Sequence, residues 1–117
     1  MRLLSLAFTV TLASFSASAQ PLETGGDPGR GAALIRDYGC GACHQIPGVA
    51  DADGLVGPPL SNIALRVYLA GMLRNTPDNM MFWLRHPQEV VPGNVMPDMG
   101  VTAPDARDIA AYLYTLR

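Results

Sequence analysis

Cys40-Gly41-Ala42-Cys43-His44 is the stretch on which the reading of this chain turns. Two thiols three positions apart, followed at once by an imidazole, form the Cys-x-x-Cys-His pattern by which a haem is fixed to a polypeptide. Each thiol can make a thioether to one vinyl group on the porphyrin edge, and the histidine then falls over the iron as its proximal ligand. Such a tether keeps the group in place even where one edge of the ring faces water. Two other uses of paired cysteines fit less well. Thioredoxin-like dithiol chemistry needs a βαβ setting that the sequence lacks. A structural zinc site needs four ligands, and His86 is the one other histidine in the chain.

Toward the N-terminus, Met1-Arg2 is a short positive start, Leu3 to Leu12 an apolar stretch, and Ala17-Ser18-Ala19 a small-residue cleavage pattern. Together they read as a secretory signal peptide over residues 1–19, with a mature chain from Gln20 in the periplasm. Retention as a membrane anchor is the alternative. Against it, Ser5, Thr9, Thr11, Ser14 and Ser16 break up the apolar run, which is shorter than the ~20 residues a spanning helix needs. Residues 20–26 read as a flexible polar leader and 27–117 as one small domain, whose surface is large for its interior. Cys40 and Cys43 lie too close together to staple such a chain, so a buried haem is the more plausible reinforcement. The sequence carries a formal charge of −2 and no lysine; without Arg2, seven arginines face ten acids, for −3. Nucleic acid, which wants a basic face, is excluded as a partner.

Punctuation divides the rest. Asp27-Pro28 offers an N-cap with proline at the first helical position, and Ala32, Ala33, Leu34, Ile35 and Tyr38 continue helically up to Gly39. Gln45 to Asn62 is rich in glycine, proline and aspartate and reads as an irregular loop that wraps a ligand. Asn62 to Leu73 is expected to be a short helix, weakened at its end by Gly71. Thr76-Pro77-Asp78 repeats the cap-plus-proline signature before Met80, Met81, Trp83 and Leu84, with Pro87 as the stop. Val90 to Gly100 is a second loop. Thr102-Ala103-Pro104-Asp105 opens a last helix with Ile109, Tyr112, Leu113 and Leu116 at spacings of three and four. No strand and no internal repeat is expected.

Taken in order, these pieces resemble class I cytochromes c, small single-haem carriers ligated by histidine and methionine. The resemblance covers nearly all of the expected mature chain, from Gln20 on. It rests on the helix before the cysteines, Cys40-Gly41-Ala42-Cys43-His44, Gly57-Pro58-Pro59-Leu60, Trp83-Leu84 with Pro87, Val95-Met96-Pro97, and Ile109-Ala110-Ala111-Tyr112-Leu113. It implies an all-α fold of three to five short helices wrapped around one haem c, bound through Cys40 and Cys43. His44 and Met96 would be the metal ligands. Met99, three residues on, is the rival thioether, and His86 would give a bis-histidine site of lower potential. Met72, Met80 and Met81, in helical runs, suit core packing.

Further roles come with the resemblance. The Pro58 carbonyl would accept a hydrogen bond from His44, and Leu60 and Trp83 would lie along the haem. Arg66, Tyr68 and Asn94 would meet its propionates. Gly31 and Tyr112 would mark the crossing of the first and last helices, although Ala32 or Ala33 could equally make the close contact. An iron with six ligands leaves no place for a small-molecule substrate, and no base stands ready beside it, so the expected role is electron carriage and not catalysis. The expected partners are a redox donor and acceptor, such as a periplasmic dehydrogenase or a membrane terminal oxidase. The alternative is a fixed haem c subunit of such an oxidase, since Tyr68-Leu69-Ala70-Gly71 through Asn75-Thr76-Pro77 resembles the haem domains attached to bacterial haem-copper oxidases. A gas sensor in which Met96 yields its place ranks third.

Overall fold

Asp27 begins the first helix by accepting the Arg30 N–H on its carboxylate at 3.1 Å, with Pro28 in the first turn, and α1 runs Pro28–Asp37. In the computed structural model, which describes residues 10–14, 16 and 22–117, α1 is followed by a 3₁₀ turn at Cys40–Ala42 and another at Ile63–Leu65. Strands β1 (Tyr68–Leu69) and β2 (Leu73–Arg74) come next, then α2 (Pro77–Arg85), α3 (Pro87–Val90) and α4 (Ala103–Leu113). Thr76 caps α2 through the Asn79 N–H and Thr102 caps α4 through the Asp105 N–H, as the sequence signatures require. The reading of residues 1–19 as an export leader falls outside the described residues except at 10–14 and 16. Among the described residues no helix is long and apolar enough to cross a membrane.

Two expectations fail between residues 62 and 74. The segment is not a helix, and it contains the strands the sequence reading left out: β1 and β2 pair antiparallel, Tyr68 opposite Arg74 and Leu69 opposite Leu73. Ala70 and Gly71 turn the chain with φ of +49° and +68°, values that no right-handed helix contains. Asn75 supplies the rest of the reason. Its carboxamide donates to the carbonyls of Ile63 at 2.9 Å and Arg66 at 2.8 Å, satisfying them without a helical ladder. Met72 consequently stands exposed instead of packing in the core. Pro87 does stop α2, but it also opens the one-turn α3, which reaches Val90, where the second loop is expected to begin.

α1 and α4 cross at Gly31. A Cβ there would stand 2.6 Å from the Asp108 carbonyl carbon and 3.1 Å from Ile109 N, so backbone meets backbone at Gly31, which makes the close contact. Tyr112 instead donates its hydroxyl to the Pro47 carbonyl at 2.5 Å, tying α4 to the loop after the cysteines. Two aspartates of α4 lock the crossing. Asp108 accepts the Asp27 N–H at 2.8 Å and pairs with Arg30 Nε at 2.9 Å, and Asp105 accepts the Tyr38 hydroxyl at 2.7 Å. That hydroxyl holds the Asp105 carboxyl below its ordinary pKa. Residues 22–26, read as part of a flexible leader, are seated on α4, with the Thr24 hydroxyl donating to the Arg107 carbonyl at 3.0 Å. Gly31→Ala is expected to cost about 1–3 kcal/mol, because neither backbone can give way. A thermal melt of the haem-loaded protein checks this, and an unchanged midpoint would show that the helices part freely.

Candidate haem-binding site

Inside this frame the apolar side chains do not close on one another. Ile35 of α1, Ile46, Leu69 of β1, Met80 and Leu84 of α2 and Leu113 of α4 are all buried core residues, yet they wall a cavity of about 410 Å³. The residues expected to bind the cofactor all reach it: Cys40, Cys43, His44, Pro58, Leu60, Arg66, Tyr68, Trp83, Asn94 and Met96 line this space. Helix α1 delivers the chain into the cysteine turn, where the Cys43 and His44 N–H groups both donate to the Cys40 carbonyl, at 3.2 and 3.1 Å. The next loop folds back beneath the motif, the Gly54 N–H donating to Gly41 at 3.0 Å and the Gly57 N–H to Cys43 at 2.7 Å.

His44 Nδ1 lies 2.7 Å from the Pro58 carbonyl oxygen, which can only accept. The proton is therefore on Nδ1, and Nε2 is left as the ring's basic nitrogen. Gly57 makes that placement possible. A Cβ at this position would come within 2.7 Å of His44 Nδ1 and 2.9 Å of Nε2, so any larger residue would push the imidazole aside. Burial pushes the Cys40 thiol above its ordinary pKa, the reverse of the lowered value that a dithiol redox centre uses to generate thiolate.

On the far loop, Met96 and Met99 both line the cavity, but their backbones differ. The Met96 N–H donates to Asn94 Oδ1 at 2.7 Å, and its carbonyl accepts from Gln88 Nε2 at 2.8 Å. Met99, two residues beyond Pro97, is the more exposed of the two. His86 is not in the cavity wall; it caps the end of α2, with Nδ1 3.3 Å from a Glu89 carboxylate oxygen and its ring against Phe82. Asn94 also departs from its expected role. Both its N–H donors go to backbone, to Pro87 at 3.0 Å and Val91 at 2.7 Å, so its amide shapes the loop and is not free to meet propionates. Arg66 donates to the Pro59 carbonyl, which leaves its remaining guanidinium N–H groups at the cavity edge. The Arg74 guanidinium lies 5.7 Å from the centre of the Tyr68 ring.

Sequence reasoning missed Gln88 and Asn75. Nothing marks either in the sequence, since each acts on carbonyls that only the fold brings near.

An apolar slot, two thiols on its wall and an imidazole whose basic nitrogen is fixed by the neighbouring carbonyl together fit a covalently tethered haem. The site defines a haem protein of the electron-transfer class. Residues 29–117 match the family model described as Cytochrome c, and the chain belongs to that family, electron carriers that work through haem with redox proteins as partners. It is also 33% identical over 99 residues to the cytochrome c oxidase subunit 2 of Alkalihalophilus pseudofirmus, a match that takes in 84% of this chain and 28% of that protein. The chain thus spans little more than a quarter of that relative's length.

Proposed function

We propose that this protein is an exported carrier that moves single electrons between periplasmic or membrane redox partners on one haem c held by Cys40 and Cys43. The observation that carries this reading is His44, fixed by Pro58 within an apolar cavity beside both cysteines. When bound, haem supplies an iron that alternates between ferric and ferrous states and a porphyrin edge through which the electron passes. The chain's own residues do the rest. Pro58 holds the His44 imidazole in one tautomer and strengthens it as a donor. Met96 would hold the iron as its second protein ligand, Leu60 and Trp83 would exclude water, and Arg66 and Tyr68 would meet the propionates. A mediated redox titration followed in the visible should give one wave with a slope of about 59 mV per decade. The two-electron slope, about half as steep, would point to the cysteines as a dithiol and contradict the proposal.

The likeness to an oxidase subunit 2 favours a second reading, a haem subunit held in a terminal oxidase. Size exclusion of a native extract separates the two. Haem eluting at the mass of this chain supports the free carrier, and haem eluting with a large membrane assembly supports the subunit.

Docking of the free carrier is expected to be insensitive to salt. The chain has no lysine, Arg30 is engaged by Asp105 and Asp108, and the cavity mouth exposes Val56 and Val95, 63% and 77% accessible. Screening weakens charge attraction and leaves apolar contact intact. Stopped-flow oxidation by the partner should therefore change little from low to high salt. A steep fall would mean that Arg66, Arg74 and Arg85 act together as a steering face.

A further inference from the structure

Gln88 and Asn94 hold the methionine loop through six hydrogen bonds in which every conventional donor of both carboxamides is used. Gln88 Nε2 donates to the carbonyls of Asn94 at 2.9 Å and Met96 at 2.8 Å, and Gln88 Oε1 accepts the Gly93 N–H at 3.0 Å. Asn94 Nδ2 donates to Pro87 and Val91, while its Oδ1 takes the Met96 N–H at 2.7 Å. Both polar groups of the Met96 backbone are thereby pinned to α3 and to the turn that follows it. The next residue, Pro97, has no N–H to extend the clamp, and Met99 beyond it is followed only by a local turn, the Gly100 N–H donating to Asp98 Oδ1 at 2.9 Å.

A thioether is a weak, neutral ligand, so its binding depends on a loop that presents it already in place. Two methionines three residues apart line the same cavity. We infer that Gln88 and Asn94 are positioning residues that select Met96 over Met99 as the axial ligand and keep the iron closed to outside ligands. The inference rests on the assignment of Met96 proposed above.

The test uses haem-loaded protein and two readouts: the red-region band that ferric haem shows with a sulfur ligand, and carbon monoxide uptake by the ferrous form. Wild type should show the band and take up the gas slowly, and Met96→Leu should lose the band. Gln88→Leu, which adds no sulfur of its own, removes the hydrogen bond to the Met96 carbonyl and should raise the rate of uptake about tenfold while weakening the band. Adding Met99→Leu to Gln88→Leu should remove most of the band that remains, as expected if Met99 takes over once the clamp is broken. Loss of stability alone would lower the melting point without moving either readout. If Gln88→Leu yields no holoprotein, Asn94→Asp decides on the same readouts, because it keeps an acceptor for the Met96 N–H and loses both donors. A clamp variant with the wild-type band and wild-type uptake overturns the inference and leaves the ligand assignment standing. A wild type without the band, or a Met96→Leu protein that keeps it, overturns the assignment and the clamp with it.

Discussion

Cys40→Ala combined with Cys43→Ala is expected to leave a chain without a cooperative fold. The cavity of about 410 Å³ lies among Ile35, Ile46, Leu69, Met80, Leu84 and Leu113, the same side chains that form the core. Without the haem these apolar side chains would face water instead of packing, in a small domain whose whole stability is only about 5–15 kcal/mol. Collapse cannot remove that exposure cheaply, because the α1–α4 crossing is fixed by backbone contact at Gly31 and by the Asp108 and Asp105 pairs. The double variant should show little helical circular dichroism and no sharp melt. Full helicity with a cooperative transition, in a protein shown to lack haem, would establish that the polypeptide core suffices.

Met96→His is expected to keep the haem low-spin and to lower its potential by ~0.2 V, well within the roughly 0.8 V that axial ligands command. Imidazole is the stronger donor and stabilises ferric iron, whereas a thioether favours the ferrous state. Met99→Leu should leave spectrum and potential nearly unchanged. The structure supplies the reason for expecting the difference: hydrogen bonds hold the Met96 backbone on both sides, and Met99 stands exposed beyond Pro97. Loss of the ferric sulfur band in Met99→Leu would reverse the assignment.

How much of this was legible in the sequence follows from how local each cause is. Asp27-Pro28, Thr76-Pro77 and Thr102 with Pro104 announce α1, α2 and α4, because a cap and a proline act within one turn. The pentapeptide and its order relative to Pro58, Trp83 and Met96 announce the cavity wall. The hairpin was not legible, since Asn62 to Leu73 reads as a short helix and the deciding feature is Asn75, which reaches back to carbonyls nine and twelve residues away. The same holds at the other end of the site. A propionate role for Asn94 looks reasonable from its position, and only the packing of α3 against the loop shows that its amide is already engaged. Tyr114 is a further case. It is buried, donates to Asn75 Oδ1 at 2.9 Å, and is pushed up to about 12 by that burial, joining the end of α4 to the hairpin by a contact that no periodicity reveals.

The central claim is that Cys40 and Cys43 carry a haem whose iron is ligated by His44. A visible spectrum of the reduced native protein, paired with a pyridine spectrum of the same sample after denaturation, tests it most directly. The account predicts a sharp six-coordinate low-spin spectrum in the native protein and, after denaturation, the absorption of a haem with both vinyl groups converted to thioethers. Haem that extracts into acidified organic solvent, or a pyridine spectrum with unreacted vinyls, would contradict it.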